Sequence, residues 1–121
     1  MANVWDGGFV KGAPKFDRAL RGLSRDDSGA IAVLAPTARD VALHVTPLTG
    51  AGPAFKKALR AGRAQGAHAA RILHGSGRIR AGQPMVVVAA AARSRQDALM
   101  SVQIMLNALK GVALRRDASK A

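Results

Sequence analysis

Apolar positions along the chain fall into short runs separated by Gly-, Pro- and Asp-containing breaks. Residues 3–10 predict a short edge strand, interrupted by Gly7 and Gly8. Residues 14–23 predict a helix with Phe16, Ala19, Leu20 and Leu23 on one face. Pro14 fits its first turn, where a missing N–H does no harm. Residues 24–29 form a polar turn cluster. The run at 30–34 has strand length and is closed by Pro36. Residues 41–45 alternate Val, Leu and Val with Ala and His, as a half-buried strand does. Residues 47–53 read as loop. A second helix spans 53–63, with Ala54, Phe55, Ala58 and Leu59 inward and Lys56, Lys57, Arg60 and Arg63 outward; Gly62 and Gly66 suggest fraying near its end. Residues 71–74 predict another strand, followed by a tight connection over 74–77 and a turn at 81–84.

The strongest strand is 85–92, a run of Met, Val and Ala without a polar position. Such continuity requires cover on both faces, which places it centrally. Ser94 followed by Asp97 resembles a capping box, with Asp at the reciprocal position. Residues 96–110 then predict the best helix. Leu99, Val102, Leu106 and Leu109 repeat at helical spacing, Ala98 and Met105 widen the stripe, and Gly111 stands where a C′ glycine would. Residues 115–121 read as a loose tail. Clusters of strands with helices between them, rather than strict alternation, indicate an α+β fold with a mixed sheet and about three helices. Neither a linker nor an internal repeat divides the chain, so residues 1–121 are expected to form one domain.

Composition changes this picture in three ways. Aromatic residues are confined to Trp5, Phe9, Phe16 and Phe55, so the core must be aliphatic, with many Ala allowing elements to approach closely. There is no Cys, which excludes disulfides, a thiolate nucleophile and Cys-ligated metal. The 19 Lys and Arg stand against 7 Asp and no Glu, a formal net charge of +12. That field attracts phosphates, nucleic acid and acidic partners. No apolar run approaches the roughly 20 residues of a membrane span, and the first ten residues lack the apolar segment of a signal peptide. A cytoplasmic location is expected, with no membrane association. His44, His68 and His74 lack metal-ligand spacing, and no metal or cofactor is predicted.

Several stretches then carry a family resemblance. I-L-H-G-S-G-R-I-R-A-G-Q-P-M-V-V-V leads into A-A-A-A-R-S-R-Q-D-A-L-M and S-V-Q-I-M-L-N-A-L-K. Large (catalytic) subunits of molybdopterin synthase show a similar progression: a strand ending in His, a Gly turn, a Pro/Gly turn, a Val-rich strand, a His-Arg step and a helix ending in Leu-Lys. The earlier D-D-S-G-A-I-A-V-L-A-P-T-A-R also looks like that family. The resemblance covers roughly residues 24–46 and 70–117 and rests on order and spacing.

The resemblance implies an α/β-hammerhead fold and a homodimer within a heterotetramer. A ubiquitin-like small sulfur-carrier subunit docks at each end, and its C-terminal thiocarboxylate enters a basic pocket. Sulfur then passes to cyclic pyranopterin monophosphate, the pterin phosphate substrate, in molybdenum cofactor biosynthesis. By residue, the resemblance makes Lys110 the catalytic candidate, at the Lys ending the long helix. It gives substrate-binding roles to Arg39, Arg95, Arg115 or Arg116, and puts Met105 on the helix face lining the pocket. This sequence departs from the family at the His of the His-Arg step, which is Ser94. The second functional Lys becomes Arg, and the segment before it shortens to Val112-Ala113-Leu114. Arg binds phosphate but does not readily shed a proton, so it replaces Lys in binding only.

The residues themselves admit blander roles. A Lys at a helix C-terminus complements the helix dipole, Ser94 suits an N-cap, and His74 at a strand end suits a structural position. Two other functions stay open: a relative that lost catalysis and acts as a binding or assembly subunit, and a basic nucleic-acid-binding domain. The latter lacks interleaved aromatics for base stacking.

Overall fold

The structure, a computed structural model, describes residues 4–118. Nine elements follow in order: β1 (Trp5–Lys11), α1 (Phe16–Leu20), β2 (Ala30–Leu34), β3 (Leu43–Pro47), α2 (Gly52–Gln65), β4 (Ala67–Ile79), β5 (Val86–Ala92), α3 (Arg95–Asn107) and β6 (Ala113–Asp117). The strands form one sheet in the order β2-β5-β4-β3-β6, and β1 pairs with β4. The β1–β4 pair is parallel and the others are antiparallel, so the sheet is mixed, as an α+β architecture with three helices requires.

β5 is buried along its whole length between β2 and β4, the central position its unbroken apolar run predicts. Side chains alternate across a strand, and β4 and β5 divide accordingly. Ile72, Val86 and Val88 face α2 and α3, where they meet Phe55, Ala58, Ala98, Val102 and Met105 in the larger core. Leu73, Val87, Ala89 and Ala91 face the other way and are covered by Ala19 and Leu23 of the α1 region. A third cluster joins Ala38, Val45, Ile79 and Met85 at the end where β3 meets β4.

Several elements differ from the expected ones for identifiable reasons. β1 runs unbroken through Gly7 and Gly8 because the whole strand lies in parallel register along β4, with Gly7 opposite Ile72 and Gly8 opposite Leu73. α1 is shorter than predicted, and Pro14 precedes its N-cap residue, Lys15. α2 extends to Gln65, and Gly66 closes it with its N–H directed at the carbonyls of Gly62 and Arg63. Gly62 is buried rather than frayed: a Cβ there would lie 2.5 Å from the Met105 Sδ, so glycine lets α2 and α3 approach closely.

The predicted connection at 74–77 is instead the middle of β4. Gly75 is required there for proximity, since a Cβ would lie 2.8 Å from the Gly12 carbonyl oxygen and 3.0 Å from that of Met85. Residues 115–117, expected in a loose tail, belong to β6, which pairs with β3 from Ala113 to Asp117; residues 119–121 lie outside the described residues. On α3 the buried stripe is Ala98, Ser101, Val102 and Met105, whereas Leu99 is 55% exposed. The stripe turns because Ser101 donates its hydroxyl to the Gly62 carbonyl at 3.2 Å, which draws that side of α3 against α2.

Candidate active site

α3 ends at Asn107, and a turn carries the chain over Lys110 and Gly111 into β6. Gly111 takes a φ of 84°, the left-handed conformation that reverses the chain there. The reversal sets Lys110 beside the start of β6. Arg115 pairs with the buried Val45, and Arg116 pairs with the exposed His44, so the two arginines leave opposite faces of the sheet. Arg115 therefore joins Lys110, and Arg116 does not.

Lys110 and Arg115 line a cavity of about 280 Å³ together with Pro36, His74, Val86, Leu106, Asn107 and Leu109. An adjoining hollow of about 230 Å³ shares His74, Leu109, Lys110 and Arg115 and continues along Gly111, Val112 and Ala113. Two cations thus stand at an apolar concavity, with the Asn107 amide as a further polar group. His74 is the third ionisable member, and sequence reasoning left it a structural role. Its imidazole is 2% exposed and packs against Phe9 and Phe55, with ring centroids 5.0 and 6.5 Å away.

The His74 Nδ1 lies 2.8 Å from the Gly75 carbonyl oxygen. A carbonyl only accepts, so Nδ1 carries the ring proton and the neutral ring keeps its lone pair at Nε2. Burial holds the His74 pKa below its ordinary value; the Gly75 bond opposes this, and the Arg115 charge adds to it. His74 is accordingly a neutral base or hydrogen-bond acceptor at the cavity wall. The sequence signal for this was the strand-terminal His alone, because its setting depends on Phe9 from β1 and Phe55 from α2.

The other predicted site residues lie elsewhere. Met105 is fully buried in the core between α2 and α3 and does not line the cavity. Arg95 is exposed in the first turn of α3, while Lys110 lies beyond that helix's other end. Arg39 is exposed with its guanidinium 4.0 Å from the Asp40 carboxylate. Ser94, standing where the resembled family has His, is the N-cap of α3 and accepts the Asp97 N–H at 3.1 Å. Its hydroxyl is thereby occupied in holding the helix start. Among the described residues no group of three or more His, Asp or Glu is arranged to hold a metal, and no helix is long and apolar enough to cross a membrane.

The family model described as MoaE protein matches residues 13–112. The molybdopterin cofactor biosynthesis protein E of Burkholderia multivorans is similar at 28% identity and a TM-score of 0.70, covering 90% of this chain and 80% of that one. The molybdopterin biosynthesis MoaE protein of Burkholderia ambifaria is also 28% identical, with a TM-score of 0.72 and coverage of 91% and 84%. A Helicobacter pylori complex of subunits 1 and 2 of molybdopterin-converting factor contains the same fold, with a TM-score of 0.75, 16% identity and coverage of 92% and 83%. A search of curated proteins returns no match. The chain belongs to the MoaE family, as a molybdopterin synthase large-subunit-like protein of molybdenum cofactor biosynthesis.

Proposed function

We propose that the cavity beside α3 and β6 is where sulfur passes from the C-terminal thiocarboxylate of a ubiquitin-like small subunit to the pterin phosphate substrate. The observation that carries this reading is the convergence of Lys110, Arg115 and His74 on one apolar concavity. Both reactants are anions. Bringing a thiocarboxylate and a phosphate together in water is opposed by their mutual repulsion, and fixed cations in a partly desolvated site offset it. Arg115 suits the phosphate, because a guanidinium holds its charge and offers a planar fork of donors.

Lys110 is the proton-handling group of the transfer, since an ammonium both pairs with an anion and can release a proton. His74, fixed with its lone pair at Nε2, accepts a hydrogen bond or a proton from substrate at the cavity wall. Arg39, Arg95 and Arg116 contribute to the field that draws the anions in, from positions outside the cavity. The small-subunit partner follows from the two-subunit complex of the H. pylori relative. The assembly we infer is a homodimer with one small subunit at each end, working in the cytoplasm.

The test is sulfur transfer by the purified protein with a thiocarboxylated small subunit. Replacing Lys110 by Ala is expected to lower turnover by about 10²- to 10⁴-fold, the usual worth of a positioned acid–base group, with the thermal unfolding curve unchanged. Full turnover in Lys110→Ala removes this role for Lys110.

A further inference from the structure

A second concavity lies on the opposite face of the sheet, and nothing in the sulfur-transfer reading uses it. Leu73 and His74 are neighbours in β4 and point to opposite faces. His74 lines the cavity described above, whereas Leu73 and Val10 line a cavity of about 310 Å³ under the segment between β1 and the end of α1. Its rim carries Lys11, Lys15, Arg18 and Arg21 against a single carboxylate, Asp17. Among the described residues none of these four cations forms an ion pair, and the carboxylate of Asp17 pairs with none of them.

The frame that holds the four cations is fixed at both ends. At one end the Gly12 N–H donates to the Ser76 carbonyl at 2.8 Å, and the Ser76 hydroxyl donates to the Val10 carbonyl at 2.7 Å. At the other, the Arg71 guanidinium, only 5% exposed, donates to the carbonyls of Arg18, Ala19 and Arg21 at 3.0, 3.2 and 2.6 Å. Arg71 thus clamps the end of α1. Like charges gathered on a rigid frame repel one another, and a bound polyanion relieves that repulsion.

We propose that this α1 cavity binds the oligophosphate group of a small ligand. Four cations exceed what one carboxylate neutralises, while a di- or triphosphate presents several anionic oxygens to ammonium and guanidinium donors. The volume is at the lower end of small-ligand sites, about 300 Å³, so the phosphates fill it and any attached group lies outside. The oligophosphate comes either from a free polyphosphate or from a nucleoside triphosphate.

The experiment is calorimetric titration of the full chain with sodium tripolyphosphate and, separately, with ATP, at about 150 mM salt, where loose surface attraction is screened. Arg18→Gln/Arg21→Gln is compared with a charge-matched control on α2, Lys56→Gln/Arg60→Gln. One-to-one binding, weakened at least about tenfold in the first variant and unchanged in the second, supports the site. Equal affinity for both ligands assigns it to oligophosphate alone, and tighter ATP binding assigns it to a nucleotide. If Arg18→Gln/Arg21→Gln fails to fold, Lys11→Gln/Lys15→Gln takes its place in the same comparison. Absence of binding, or equal weakening in the α1 variant and the control, overturns the proposal. Lys110→Ala should bind tripolyphosphate like the unaltered chain, so this result stands apart from the fate of the sulfur-transfer reading.

Discussion

The two faces of the sheet hold positive charge in different ways. On the α2/α3 face, Lys110 and Arg115 stand over apolar walls beside a buried neutral imidazole. On the α1 face, one short helix covers an alanine-rich surface, and the cations spread around an exposed rim. The first arrangement adjusts the protonation of a single group; the second sums charges. The difference originates in packing. Two long helices meeting through Gly62 bury enough surface to desolvate His74, whereas α1, with five residues, does not screen the groups around it.

The largest expected contrast is in stability. Met105→Ala should destabilise the fold by about 2–5 kcal/mol, because a fully buried side chain leaves a cavity between α2 and α3. Phe16→Ala, at a side chain 46% exposed on the α1 face, should cost less than about 1 kcal/mol. Denaturant titration of both variants tests this, and equal losses would mean that the two faces are packed alike. Next comes Arg71→Met, which withdraws the donor from the carbonyls of Arg18, Ala19 and Arg21. Carbonyls left without partners cost about 1–3 kcal/mol. Amide exchange should speed up in α1 while α3 keeps its protection.

A smaller effect is pH-dependent. The pKa of His74 is lowered in the fold mainly by burial, and that of His68 likewise, with Arg25 and Arg93 adding to the shift at His68 and Asp27 opposing it. Above the ordinary imidazole pKa both states are neutral and neither histidine affects stability. As pH falls below it, the unfolded chain takes up protons that the folded chain resists, so stability declines until the lowered folded pKa is passed. The slope should reach at most about 1.4 kcal/mol per pH unit for each group. His74→Gln should flatten it in unfolding curves taken from neutral to acidic pH; an unaltered slope would clear His74 of that role. The smallest effect is Ser94→Ala, which removes the N-cap of α3 and should cost about 1 kcal/mol.

Where local signals agreed with the tertiary structure, the sequence was legible. β2 has the predicted limits, β5 is central, and Ser94 caps α3 as its spacing to Asp97 indicates. Features set by distant neighbours were not. Gly75-Ser76-Gly77 reads as a turn, yet it is strand, because the approach of Gly12 and Met85 demands a residue without a side chain. Ala113–Asp117 has no strand-like alternation, and pairing with β3 makes it a strand. Leu99 reads as core and is exposed, since the Ser101–Gly62 contact sets the rotation of α3. At the candidate site the resemblance pointed to Lys110 and to Arg115 or Arg116, and only the strand register puts Arg115 on the face of the cavity. It did not bring out His74, whose setting is made by Phe9 and Phe55, far away in the chain.

The order of strands in the sheet also bears on how the molecule comes into being. Each strand pair includes β4, β5 or β6, and β1, β2 and β3 do not pair among themselves. A chain growing from its N-terminus therefore carries three strands, and no sheet, until residue 67 and its successors have emerged from the ribosome. β1, the first strand made, waits for Ala70–Ser76 to supply its register. Closing that long loop is entropically slow. The first half of the chain is consequently a bound client of the second, and its exposed strands are what a chaperone would meet during synthesis.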